Sequence, residues 1–305
     1  MRPAAPAARR ALPAAIWIGS VLAFTVIYAV CFTAIKTGLA FAPPLLFAGL
    51  RTLLGGAALL VVLVAQRAPL LPSRLHWPWL PAVAVTSTTI GFGAMFLSPG
   101  RTGAGIASVL GNTQPLFILV LAACFLGERV TAGKLGALVL GLTGVTLIAY
   151  PALAGADAYG LVGAGLALAS AAGTATGSVL VKRAGLTNGV LALAAWQLIL
   201  GSLPLLAAAA LFEAPARVTW NGEFVGLLLF LALVGTSFTT ALWYWLLQRT
   251  EVGRLTMFLF LVPVAGLGIA ALMLGERVGP LEMVGAALTV AGIVVVVREG
   301  LHSPA

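Results

Sequence analysis

The chain has 305 residues, 61% of them hydrophobic and only 8% charged, against about a quarter charged in a soluble domain; no aqueous core of this length could bury so much apolar surface, whereas lipid can surround it. The net charge of +9 would suit nucleic acid, but Lys and Arg sit mainly in short breaks between apolar runs and not along one face, which argues against that partner. Two cysteines, Cys31 and Cys124, lie inside apolar runs without partners at ligand spacing, so neither a metal site nor a redox pair is expected, and nothing in the chain asks for a cofactor.

A basic, Ala/Pro-rich stretch from Met1 to Arg10 precedes an apolar run from Ile16. That run lacks a clear small-residue cleavage site, so it reads as a first membrane span and not as a removable signal peptide. In chain order the predicted spans are 15–36, 44–65, 79–98, 102–124, 133–151, 159–181, 189–212, 223–247, 254–274 and 279–297. Each is near the roughly 20 residues that cross a bilayer core. The least distinct division falls between the third and fourth, at Ser98-Pro99-Gly100-Arg101. The 36 glycines suit helix contacts in lipid, where small residues let backbones approach.

Loops on the cytoplasmic side carry an excess of Lys and Arg. With the N-terminus inside, twelve basic residues face the cytoplasm: Arg2, Arg9, Arg10, Arg67, Arg74, Arg129, Lys134, Lys182, Arg183, Arg249, Arg254 and Arg298. Four, Lys36, Arg101, Arg217 and Arg277, face away. Both termini are therefore predicted on the cytoplasmic side of the cell inner membrane.

The chain also repeats itself. Leu126-Gly127-Glu128-Arg129-Val130 returns as Leu274-Gly275-Glu276-Arg277-Val278, an offset of 148 that also relates Pro115 to Pro263, Arg101-Thr102 to Arg249-Thr250, Thr88 to Thr236 and Gly144 to Gly292. The predicted halves are residues 1–151 and 152–305, about five spans each. An odd number of spans per half forces opposite orientations, an arrangement that recurs in transporters with the site at the repeat interface. The fold class is thus an all-α membrane protein of about ten helices in two inverted five-helix repeats.

Pro115, Leu126-Gly127-Glu128-Arg129, the Gly136 to Gly144 stretch and the second copy of this pattern, with Arg51 and Trp196-Gln197, together resemble the drug/metabolite transporter superfamily, EamA type. Within it the chain is most similar to the YddG-type amino-acid exporters. The resemblance covers about residues 15–298 and implies a central cavity and transport of amino acids, other metabolites or cationic drugs.

The residues that would carry such chemistry are sparse. Every Asp, Glu and His falls at a span end or in a loop, so no proton relay and no catalytic acid–base pair is apparent. Arg51 is the one charge well inside a span; it either attracts a carboxylate or serves as a snorkelling or carbonyl-capping residue. Ser108, Asn112 and Pro115 share one face of the fourth span, with Thr256, Phe260 and Pro263 as repeat mates. Each proline leaves a carbonyl unbonded about a turn earlier, so Pro115 and Pro263 are candidate hinges and Asn112 is the leading polar contact. Ser170, Thr174 and Ser178 line one face of the sixth span, and Phe24, Tyr28 and Phe32 the matching face of the first. Thr236, Thr240 and Trp243 add a third wall, though Trp243 also suits a membrane-interface belt. Sparse hydrogen-bonding groups on aromatic surface are the usual make-up of a small-molecule pocket. The expected pathway is Asn112, Ser108, Tyr28, Phe24, Thr174, Ser178, Thr240, Trp243 and Thr256. The expected partners are a small-molecule solute and lipid, with a monomer sufficient for the task.

Overall fold

A computed structural model describes residues 14–98, 101, 110–111, 113–153, 160–185, 189–213, 218–274 and 279–302. Among these residues all regular structure is helical. In chain order the helices are α1 (Ala14–Gly38), α2 (Pro44–Ala65), α3 (Trp79–Leu97), α4 (Gln114–Leu126), α5 (Ala132–Leu153), α6 (Gly160–Arg183), α7 (Val190–Phe212), α8 (Gly222–Leu247), α9 (252–274) and α10 (Pro280–His302). Among the described residues α1, α2, α3, α6, α7 and α8 are long and apolar enough to cross a membrane, and α4, α5, α9 and α10 contain shorter apolar stretches. The expectation of about ten membrane helices agrees with this architecture.

Helix ends follow local chemistry. Pro44 opens α2 after an extended Pro43, where a missing N–H costs nothing. Asn221 caps α8 by accepting from the Phe224 amide at 2.8 Å, and Gly127 closes α4 with φ +68, a conformation that only glycine adopts freely.

The fourth and ninth spans are not the continuous rods the sequence suggests. In α9 a helical stretch, Val252–Met257, gives way to a 3₁₀ turn, Phe258–Phe260, before Leu261–Leu274. In the fourth span helical residues Leu110 and Gly111 are followed by a turn at Thr113, whose amide donates to Leu110 O at 3.1 Å, and helix resumes at Gln114; residues 102–109 and 112 lie outside the description. Pro115 and Pro263 therefore stand in the first turn after a break, where the ring clashes with nothing, and not in mid-helix.

α3 and α8 are interrupted differently. Each contains a π-helical segment, Ala84–Phe92 and Leu233–Phe238, and the two segments overlap at the 148-residue offset of the sequence repeat. Such segments are rare and collect at functional sites, because the wider turn leaves carbonyls short of partners. Here hydroxyls take them up: Ser237 Oγ donates to Ala232 O at 2.8 Å and Thr236 Oγ1 to Leu231 O at 2.8 Å.

The repeats pack through mirrored contacts. A methyl group placed on Gly144 of α5 would collide with the Gly285 carbonyl of α10. The repeat-equivalent pair behaves likewise, a methyl on Gly292 sitting 3.0 Å from the Ala137 carbonyl. Residue i meeting j while the mate of j meets the mate of i is the signature of a two-fold relation.

Candidate functional site

The expected aromatic and hydroxyl residues converge between α1, α6 and α8. Phe24 is buried and stacks on Tyr28, one turn along α1, with centroids 5.4 Å apart. On its other side Phe24 meets Trp243 at 5.1 Å. The Trp243 indole N–H donates to Ser178 Oγ at 3.1 Å, which satisfies a group that would be costly to bury alone. Trp243 is therefore an interior residue, and its belt reading is corrected. Ser178 in turn donates a hydrogen bond to Thr174 O at 2.9 Å, and Thr174 donates to Ser170 O at 2.8 Å. A row thus runs from the hydroxyls of α6 through the rings of Trp243 and Phe24 to Tyr28.

The other expected residues stand apart from that row. Thr240 is half-buried, on α8 three residues before Trp243. Thr256 is fully buried in the first stretch of α9, and its hydroxyl has no hydrogen-bond partner among the described residues. Pro115 is buried and Pro263 half-buried beside their helix breaks. Ser108 and Asn112 lie outside the described residues.

Next to the Tyr28 end of the row is Arg51, only 1% exposed. Its Nε donates to Thr236 Oγ1 at 2.6 Å and its Nη2 to Gly235 O at 2.8 Å, both in the π segment of α8. Phe92 and Phe96 of α3 cover the guanidinium at 5.0 and 5.7 Å. The snorkelling alternative is thereby excluded, since the charge stays inside the protein. Gln197, which occupies the matching place on α7, accepts from Thr88 Oγ1 at 2.9 Å in the π segment of α3. A second mirrored pair lies one residue on: Ser237 Oγ donates to Gly55 O at 2.7 Å and Thr89 Oγ1 to Gly201 O at 2.9 Å. Each half thus inserts its π-segment hydroxyls into the central helix of the other. Sequence reasoning missed this brace, although the offset of 146 between Arg51 and Gln197 was there to find.

The carboxylates are occupied at helix ends. Glu128 accepts from the amides of Val252 and Gly253 at 2.8 and 3.0 Å, capping α9. Lys134, itself buried, pairs with Glu251 at 2.8 Å and lies 3.8 Å from Glu128. Glu213 caps α2 through the amides of Leu45 and Leu46 at 2.8 and 2.9 Å. Carboxylates suit helix N-termini, where the amides lack partners and the dipole is positive. Among the described residues no cluster of His, Cys, Asp or Glu has metal-binding geometry.

Comparison with known proteins agrees with this architecture. The profile of the EamA-like transporter family matches residues 15–150 and again 161–298. An uncharacterized transporter of Bacillus subtilis (strain 168), YoaV, is 31% identical over 281 residues, covering 90% of this chain and 94% of its own. A probable amino-acid metabolite efflux pump of Escherichia coli (strain K12) is 30% identical over 281 residues, covering 89% of this chain and 91% of its own. A probable terminal-alkyne amino-acid exporter of Streptantibioticus cattleyicolor is 32% identical over 250 residues, covering 79% and 81%. A solved crystal structure superposes with TM-score 0.80 over 95% of this chain and 99% of that one; at 18% identity the likeness is one of fold.

Proposed function

This chain belongs to the EamA-like transporter family, a family of membrane transporters and not of enzymes, and on that premise we propose that it exports amino acids or similar small metabolites by alternating access. The observation that carries the reading is the row of buried Ser178, Trp243 and Phe24 ending at half-buried Tyr28, which combines aromatic surface with few polar groups as solute pockets do. The names of the Escherichia coli and Streptantibioticus cattleyicolor relatives favour amino-acid solutes. In this reading the halves 1–151 and 152–305 are oppositely oriented in the inner membrane, both termini are cytoplasmic, and one copy suffices. The pathway uses Asn112, Ser108, Tyr28, Phe24, Thr174, Ser178, Thr240, Trp243 and Thr256. Pro115 and Pro263 mark where the two broken helices bend.

Transport is facilitative or by exchange. Proton coupling needs a titratable group in the pathway, whereas Glu128 and Glu213 are engaged in capping helix ends and Glu251 in pairing with Lys134. Proteoliposomes with amino acid on one side and no ion gradient are the test. Equilibration without accumulation is expected, and uphill accumulation driven by an imposed pH or sodium gradient would overturn the uncoupled mechanism. Absence of any amino-acid flux would overturn the substrate assignment.

A further inference from the structure

We propose that the buried guanidinium of Arg51 is the anion-recognition site of this transporter, receiving the carboxylate of the transported solute against the aromatic row that begins at Tyr28. The inference rests on the transport reading and names the group that the solute must carry.

Arg51 stays protonated at any physiological pH, and a charge in a protein interior is expensive unless it is matched. Its match here is incomplete. Nε and Nη2 are bonded to a neutral hydroxyl and a carbonyl. Nη1 is buried and has no hydrogen-bond partner among the described residues. Both ion pairs among those residues use Lys134, so no described carboxylate faces the guanidinium. The rings of Phe92 and Phe96 attract a cation, but they neutralise nothing.

A purely structural role does not account for the charge. The brace to the opposite half exists twice, and on the second side the neutral amide of Gln197 accepts from Thr88, whereas on the first the guanidinium donates to Thr236. An amide therefore suffices for bracing. The first half carries in addition a positive charge and an unused N–H aimed into the protein.

The surroundings suit one ligand chemistry. The electrostatic neighbours of Arg51 are Tyr28 and Cys31, not a second cation. That environment favours a monoanion over a phosphate dianion, which recruits several positive groups. From Tyr28 the row leads through Phe24 to Trp243 and the Ser178 hydroxyl. A solute with its carboxylate on Nη1 and an apolar body along these rings would meet complementary groups at both ends. Nη1 is buried in this conformation, and the π segment bonded to Nε and Nη2 would have to loosen for a solute to replace those bonds.

The test uses the full-length chain purified in detergent and reconstituted in vesicles, as wild type, Arg51→Gln and Arg51→Lys. Probes are L-phenylalanine, L-leucine and 3-phenylpropanoate, each beside its carboxamide. Thermal stabilisation reads binding, and counterflow reads transport. The wild type is expected to bind at least one carboxylate about tenfold or more tightly than its amide, as loss of a charge-assisted bond implies. Arg51→Gln, which copies the Gln197 side, should reduce acid binding to the amide level and leave amide binding alone, while Arg51→Lys keeps part of the preference. Equal binding of acids and amides by the wild type, failure of every carboxylate to bind, or a preserved preference in Arg51→Gln would each overturn the proposal. If Arg51→Gln fails to fold, the wild-type acid–amide comparison and Arg51→Lys still decide. Arg51-dependent binding of 3-phenylpropanoate without flux of either amino acid would sink the amino-acid assignment and support the anion site. Flux of acids and amides alike would do the reverse.

Discussion

Three contacts between the halves in the middle of the helices come in mirrored pairs, whereas the Lys134–Glu251 ion pair at the helix ends does not. In the middle, Arg51 with Thr236 is matched by Gln197 with Thr88, Ser237 with Gly55 by Thr89 with Gly201, and Gly144 with Gly285 by Gly292 with Ala137. At the ends, Lys134 binds Glu251. At the repeat offset Lys134 corresponds to Glu282 and Glu251 to Gly103, so the Lys134–Glu251 pair has no mirror chemistry. In an inverted-repeat carrier the halves exchange roles as access alternates. A mirrored contact survives that exchange, whereas an unmatched one belongs to a single state. The mirrored middle contacts therefore suit a scaffold, and the Lys134–Glu251 pair suits a single conformation.

The largest expected effect comes from breaking a mirrored packing contact. Gly144→Val drives a branched side chain into the Gly285 carbonyl and Thr289. It should cost about 1–3 kcal/mol or more, as overpacking does, and lower the thermal midpoint and the monodisperse yield in detergent. Wild-type behaviour would mean that α5 and α10 are not held by close backbone approach.

Next come the two braces. Thr88→Val removes one buried hydrogen bond and Thr236→Val two, the one from Arg51 and the one to Leu231 O, and each should destabilise by about 1–3 kcal/mol. Thr236→Val is expected to cost more, because the donor it strands is charged. Identical thermal shifts would indicate that the Arg51 charge is compensated elsewhere.

Glu128→Gln should leave the fold intact and lose about 1 kcal/mol of capping. The thermal midpoint in detergent should fall accordingly. An unchanged midpoint would mean that the Val252 and Gly253 amides are satisfied without this carboxylate.

The smallest effect is Glu251→Gln. Its side chain is half-exposed, so the pair with Lys134 is worth about 0–1 kcal/mol. The difference from wild type should fade near 1 M salt, where screening is nearly complete. A salt-independent loss would show the pair to be buried in the working state.

The number and order of the helices were legible because ten apolar runs separated by basic breaks leave lipid little alternative. The convergence of Phe24, Tyr28, Trp243 and Ser178 was legible from turn-spaced faces read through the repeat. The breaks at Pro115 and Pro263 were visible, but their form was not: a proline signals a break without saying whether it sits inside a helix or begins one. The π segments left no local signal, since Ala84–Phe92 and Leu233–Phe238 look like ordinary membrane helix and some of their hydroxyls' partners lie across the interface, far away in sequence. Glu213 as the cap of α2 was equally hidden, because the two lie more than 160 residues apart in sequence.

The four hydroxyl bonds of the brace all run from one half of the chain to the other, and that bears on assembly. A single half inserted alone would lose the bonds of Arg51 to Thr236 and Gly235, of Thr88 to Gln197, and of Thr89 and Ser237 to the opposite backbone, and hydrocarbon offers no substitute. The halves are in effect subunits of an obligate pair that share one polypeptide. Made as separate chains, they should persist only when produced together.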